Sequence, residues 1–363
     1  MNEAVGSPEH DDVRSSEPEA PPLAVPAVES TRRLLGASFD LLTRTSDDMR
    51  RASFYVGIIV LGTVGPLALA SFGLEVAATH KTEREIRALM AGGAESWFGL
   101  LGLLAGFGLL VAVVESRAMA AAILAGHLAD RPVSVRAALA RSRMVFWRVI
   151  IASVIVAIPI GIGQIVVGAV FEAVLGPQAD VSIVSSALVA AVVGAPFAYM
   201  LSGVVLGDVA PFEAMRRSFR VFRARKLAAA LVAVFETSAV LLIFLGLGAG
   251  LDVAMRVFEA LGLGSDVGPP GLALETIGIA VGMFALGTLV YTALAISLAP
   301  QVVMFVGLTR ATFGLDHVRP GGDRDPDGSR PEQRSFRWLT LPMLLGFSGA
   351  AVCLVASLAV IAR

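Results

Sequence analysis

Seven apolar runs, separated by short segments that hold nearly all of the charge, constrain this chain more than any other feature. They cover Phe54–Leu74, Trp97–Leu124, Phe146–Val170, Ile183–Leu206, Leu227–Ala249, Thr276–Gly307 and Trp338–Ile361. Each is long enough to cross a hydrocarbon core of ~30 Å at ~1.5 Å per residue. A bilayer offers the backbone no hydrogen-bond partner, so such a run must satisfy its own amides as a helix. The sequence therefore predicts an all-α, polytopic helical membrane protein with about seven transmembrane helices. The second and sixth runs exceed the minimum and should tilt, kink or protrude. Pro66, Pro159, Pro196 and Pro300 should kink or break the first, third, fourth and sixth runs, because proline donates no amide hydrogen and its ring crowds the preceding turn.

Composition agrees: 56% of residues are hydrophobic and 16% charged, well outside soluble usage. Because the charges are segregated, the net charge of −1 carries no signal for nucleic acid, and none is expected as a partner. With the N-terminus inside, the inner segments (1–53, 127–148, 207–226 and 309–337) hold 23 basic residues and the outer ones 5, with Arg117 left inside the second run. That bias predicts a cytoplasmic N-terminus and an outer C-terminus. The opening MNEAVGSPEHDD lacks the basic start and apolar core of a signal peptide. A single cysteine, Cys353, excludes an intrachain disulfide and a thiolate metal cluster.

Between the runs, one stretch stands out. Pro211–Lys226, PFEAMRRSFRVFRARK, places Phe212, Met215, Phe219 and Phe222 on one helical stripe and Arg216, Arg217, Arg220 and Arg223 around the rest. Such a helix is expected in the membrane interface, aromatics in the acyl boundary and arginines among anionic headgroups. A related segment, TRRLLGASFDLLTRTSDDMRR, puts Leu35, Phe39 and Leu42 on one face. Aligning Ser218 with Ser142 superposes Arg217-Ser218-x-x-Val221-Phe222 on Arg141-Ser142-x-x-Val145-Phe146, and Ala214 on Ala138; Ala37-Ser38-Phe39 fits less closely. The expected organisation is three helix-hairpin units, each entered through an amphipathic interfacial helix, plus one appended helix. Residues 1–30, acidic and proline-rich, read as a disordered cytoplasmic tail. Residues 31–316 form the six-helix module with internal repeats, 317–336 a flexible cytoplasmic linker, and 337–363 the seventh helix, set apart from the rest.

EAMRRSFRVFRAR with the preceding GVVLGDVAP, and RRLLGASFDLLTR near the start, resemble segments of bacterial proteins similar to the glycerophosphoryl diester phosphodiesterase membrane domain. The resemblance covers roughly Thr31 to Asp316. It implies a six-helix membrane module, fused in some relatives to a soluble phosphodiesterase for which this chain has no residues. With the charge bias, it implies a multi-pass protein of the bacterial cytoplasmic membrane.

Chemistry-bearing residues are few. His10, His80, His127 and His317 have no metal-binding spacing, and no cofactor is expected. Gly102-x-x-x-Gly106, Gly246-x-x-x-Gly250 and Gly278-x-x-x-Gly282 read as faces for close helix packing. Ionisable groups inside apolar runs are costly and therefore informative. Glu236 lies ten residues beyond Lys226, hence ~15 Å deep. With Glu115, Arg117, Gln164 and Gln301 it makes a candidate intramembrane polar cluster, either structural or lining a cavity; Tyr199 and Tyr291 are further hydrogen-bond partners. No nucleophile–base pair supports catalysis. The expected function is a non-enzymatic membrane module that binds lipid or organises other membrane proteins; the alternative is a small-molecule or lipid transporter using the cluster around Glu236.

Overall fold

The computed structural model describes residues 31–89, 91, 93, 95–175, 182–260, 269–312, 317–321 and 339–362. The 1–30 tail and most of the 317–336 linker lie outside them. Among the described residues there are helices and no strand. In order they are α1 (Thr31–Arg44), α2 (Ser46–Thr63), α3 (Gly65–His80), α4 (Glu83–Leu89), α5 (Glu95–Leu128), α6 (Val135–Leu175), α7 (Ser182–Gly194), a 3-10 turn (Ala195–Phe197), α8 (Met200–Leu206), α9 (Pro211–Ala224), α10 (Lys226–Ala260), α11 (Pro269–Thr312) and α12 (Leu341–Ala362). Within α5, α6, α10, α11 and α12 lie apolar stretches long enough to cross a bilayer, and two bent helix pairs make seven if each is counted as one span, as it is below. This is a helical, multi-pass membrane protein.

Two of the four prolines break their spans. The first span bends by 44° between α2 and α3, next to Pro66, and the fourth by 47° between the 3-10 turn that contains Pro196 and α8. Pro159 and Pro300 instead sit inside the uninterrupted α6 and α11. One lost amide bond is tolerated there because the turns on either side continue the ladder.

The six spans of the module close into a ring. α2 packs on α5, α5 on α6, α6 on α7, α7 on α10, α10 on α11, and α11 returns to α2. The middle of the ring is filled by the halves of the second, fourth and sixth spans nearest the arginine-rich segments: Val111–Leu128 of α5, α8, and Tyr291–Val306 of α11, where most side chains are inaccessible. We call this end of the bundle the basic end. Its opposite, the far end, is open: Trp97, Leu100 and Leu103 of α5 and Ile162, Ile165, Val166 and Val170 of α6 are exposed.

Several expectations are revised. The second unit has no separate interfacial helix, since α6 runs unbroken from Val135, whereas the first and third units break at Thr45 and Arg225. In α1 the buried line is Leu34, Ser38 and Leu41; in α9 it is Ala214 and Ser218, with Phe212 exposed. Both lie one residue before the bulky stripe read from the sequence. Small residues and hydroxyls that bond to backbone carbonyls allow the closer approach. Four of the six motif glycines are not in packing contacts: among the described residues, a methyl group added at Gly102, Gly106, Gly246 or Gly282 would meet nothing within 4 Å. Close packing falls elsewhere, where α2 crosses α11. There a Cβ on Gly287 would lie 2.7 Å from the Gly57 Cα. Finally, α12 is not set apart, because it packs on α2 and α3. The first residues of the linker are docked too: Val318 is buried and the Arg319 amide donates to the Leu206 carbonyl at 2.8 Å.

Candidate functional site: a broken span and its buried charges

A helix broken inside a membrane leaves backbone groups unbonded, and these must find partners or face water. Around the fourth span the partners come from four other segments. Ser218 Oγ of α9 donates to the Pro196 carbonyl at 2.7 Å and accepts from the Tyr199 amide at 3.2 Å. Gln301 Nε2 of α11 donates to the Ala198 carbonyl. At the end of α8, Arg141 of α6 donates from Nε and Nη2 to the Val205 carbonyl at 3.1 and 2.8 Å, and the Leu206 carbonyl takes the Arg319 amide. The chain then turns through Asp208, whose φ of 51° is the left-handed conformation that aspartate tolerates better than most residues. That turn aims its carboxylate back at α6, where Oδ1 meets Arg141 Nη2 at 3.2 Å and Arg148 Nη1 at 2.9 Å. One carboxylate thus serves two largely buried guanidiniums.

The expected polar cluster is divided. Glu115 does not join Glu236; its Oε1 accepts from Arg143 Nε at 3.3 Å. Arg143 also donates to the Tyr55 hydroxyl at 2.7 Å and to the Leu339 carbonyl at 3.2 Å, so one side chain ties α6 to α2, α5 and the entry to α12. Arg117 and Glu236 do meet, through a single contact of 3.4 Å between Nη2 and Oε1. Gln301 is spent on the broken span, and Gln164 lies exposed on α6. Tyr291 is buried, its hydroxyl against Met49 Sδ.

On α9 the bulky stripe is shared between protein and surroundings. Met215 and Phe222 pack against the core, and Phe219 sits edge-on to Phe197 of the 3-10 turn, centroids 5.1 Å apart. Phe212 is 63% exposed. Arg216, Arg217, Arg220 and Arg223 all reach the surface. Glu213 takes Arg217 at 2.9 Å and Arg220 at 3.5 Å. The hydrogen bond from Arg217 holds the Glu213 carboxyl below the usual carboxylate range, so the acidic member of this face stays ionised at neutral pH. The result is an anion-attracting surface on a helix that Ser218 fastens to the break.

Sequence reasoning missed Asp208 and Arg148, and took Arg141 only as a repeat marker. The available signal was the spacing of Arg141 and Arg148, two turns apart on one helical face, together with an aspartate placed directly after an apolar run. Comparison of the chain with protein-family models, with curated proteins and with solved structures finds no match.

Proposed function

We propose that this chain is a non-enzymatic membrane module that binds anionic lipid headgroups at its basic end. The observation that supports this is α9: a rigidly docked helix with Arg216, Arg220 and Arg223 on its exposed side and Phe212 extending from its start. An aromatic ring in the acyl boundary beside cations at headgroup level is the arrangement of an interfacial anchor. Each basic residue at an anionic surface contributes about 1 kcal/mol. In this reading the basic end faces the cytoplasm of a bacterial cell, where the arginine bias would hold it. The segments that resemble the membrane domain found beside glycerophosphoryl diester phosphodiesterases would fit such a role, as a platform for other membrane proteins.

The test is reconstitution of the full chain into nanodiscs of phosphatidylcholine with or without phosphatidylglycerol. Anionic lipid is expected to raise the unfolding temperature and to be retained in native mass spectrometry. Arg216→Gln/Arg220→Gln/Arg223→Gln should remove most of both effects. Equal stability in the two lipids, or an unchanged response of the triple variant, sinks the reading.

Transport remains a second reading because one observation favours it: the Arg117–Glu236 pair is inside the bundle yet partly open, its side chains 30% and 23% accessible.

A further inference from the structure

Arg117 and Glu236 lie on inward faces of their helices. Glu236 continues the line of Ala229, Val232 and Ala233, which is buried, whereas Val234 and Leu242 point outward. Arg117 lies at the inner end of a line on α5 that runs through Ser96, Gly99, Leu103, Gly106, Leu110 and Val113 at helical spacing. Apart from Val113, which is partly covered, that line is open: Leu103 is 73% exposed, and a methyl group at Gly99, Gly102 or Gly106 would touch nothing. On α10 the corresponding line above Glu236 passes Ala239, Ile243 and Gly246, and Gly246 is open as well.

α5 and α10 make no extended contact with one another, while α11 packs against both. Among the described residues, the Arg117–Glu236 ion pair is what joins the two. The pair therefore closes the inner end of a groove that α11 backs. Apart from Ser96, the residues along the α5 and α10 lines are apolar. Its charged end is under-satisfied: Arg117 has one long contact, and its Nε is buried with no hydrogen-bond partner. A guanidinium in that state binds a planar or tetrahedral oxyanion more strongly than it holds one carboxylate oxygen at 3.4 Å.

We propose that the groove between α5 and α10 binds an amphiphile with one anionic head and one long apolar chain, the head on Arg117 and the chain lying over the α5 glycines. Glu236 is the internal competitor. It occupies Arg117 when the groove is empty and gives it up to a carboxylate or phosphate. This site is distinct from the α9 surface and depends on different residues.

The experiment uses the full chain in phosphatidylcholine nanodiscs with Trp97, Trp147 and Trp338 changed to Phe and a reporter introduced by Leu103→Trp. Leu103 is fourteen residues from Arg117, ~21 Å at ~1.5 Å per residue, about the length of an extended octadecanoyl chain. The probe is octadecanoate brominated near its tail, added at low mole fraction. Quenching of the reporter is expected to saturate and to be reversed by unbrominated octadecanoate and by octadecyl phosphate, but not by octadecanol. Arg117→Gln should weaken binding roughly tenfold or more, since a charge-assisted contact is lost. Arg117→Gln/Glu236→Gln, which leaves no lone buried charge, should be equally weak and shows that misfolding is not the cause. Glu236→Gln should tighten binding, because the competitor is gone. Arg216→Gln/Arg220→Gln/Arg223→Gln should leave the quenching unchanged, which separates this site from the lipid surface on α9. The proposal is overturned by quenching that never saturates and is the same in every variant. It is also overturned if Glu236→Gln weakens binding as much as Arg117→Gln, because the pair would then be structural.

Discussion

At the scale of single residues, Asp208 is the most exacting position. Its carboxylate is the shared partner of Arg141 and Arg148, and it is nearly inaccessible. Removing one partner of a buried charged group leaves the other uncompensated, at about 3–5 kcal/mol. Asp208→Asn keeps the left-handed turn, which asparagine also tolerates, so its effect isolates the charge. The expected result is a clear drop in the unfolding temperature of purified protein, by the equivalent of about 3–5 kcal/mol. Stability within about 0.5 kcal/mol of wild type, the range of an ordinary surface change, would mean that water or lipid neutralises the two arginines. The spacing of Arg141 and Arg148 was visible in the sequence, but their pairing with Asp208 was not, because the partners are 60 or more residues apart and charges near the ends of apolar runs normally report topology alone. Glu236 and Arg117 were legible for the opposite reason: they sit where a charge is expensive, and expense marks a residue without its partner being known.

At the scale of elements, helix positions were legible and helix faces were not. Apolar run length is enough to locate the spans, and Pro66 and Pro196 lie within three residues of the breaks at 64 and 198–199. Which side of a membrane helix packs inward is decided by close approach, and hydropathy does not report that when lipid and protein are equally apolar. Hence the bulky stripe of α9 was taken for its apolar side, while Ala214 and Ser218 are the residues it buries. The glycines make the same point. Gly102-x-x-x-Gly106 has the packing pattern and no neighbour, whereas Gly57 and Gly287, which belong to none of those patterns, bring α2 and α11 together. Gly287→Ala is therefore expected to cost about 1–3 kcal/mol through overpacking. Gly102→Ala should cost nothing and gain slightly from helix propensity, up to about 1 kcal/mol. Thermal unfolding of the two variants side by side checks this. Equal destabilisation would show that the open α5 stripe packs against another copy of the chain, since among the described residues a methyl group at Gly99, Gly102 or Gly106 would touch nothing.

At the scale of the whole molecule, the ring closes through contacts that no local reading contains. α11 meets α2 from the opposite end of the module, and α12 then lies against α2 and α3 outside the ring. The Arg143 side chain reaches the Leu339 carbonyl, which brings the entry to α12 to the same end of the bundle as the starts of α2 and α6. His127 of α5 meets Asp48 of α2 at 3.4 Å at that end as well. These contacts fix which segments share a side, and the arginine bias predicts which side is inside. The two together give an expectation for intact cells. In a Cys353→Ala background, Arg131→Cys, in the turn between α5 and α6 at the basic end, should be protected from an impermeant maleimide and react after permeabilisation. Arg84→Cys, on α4 at the far end, should react at once. Labelling of both positions in intact cells would mean that the second apolar run does not cross, whatever its length. The reversed pattern, with Arg131→Cys reacting and Arg84→Cys protected, would keep the ring and invert it. The α9 arginines would then face outward, and the proposal that they hold cytoplasmic anionic lipid would fail while the groove between α5 and α10 stood unaffected.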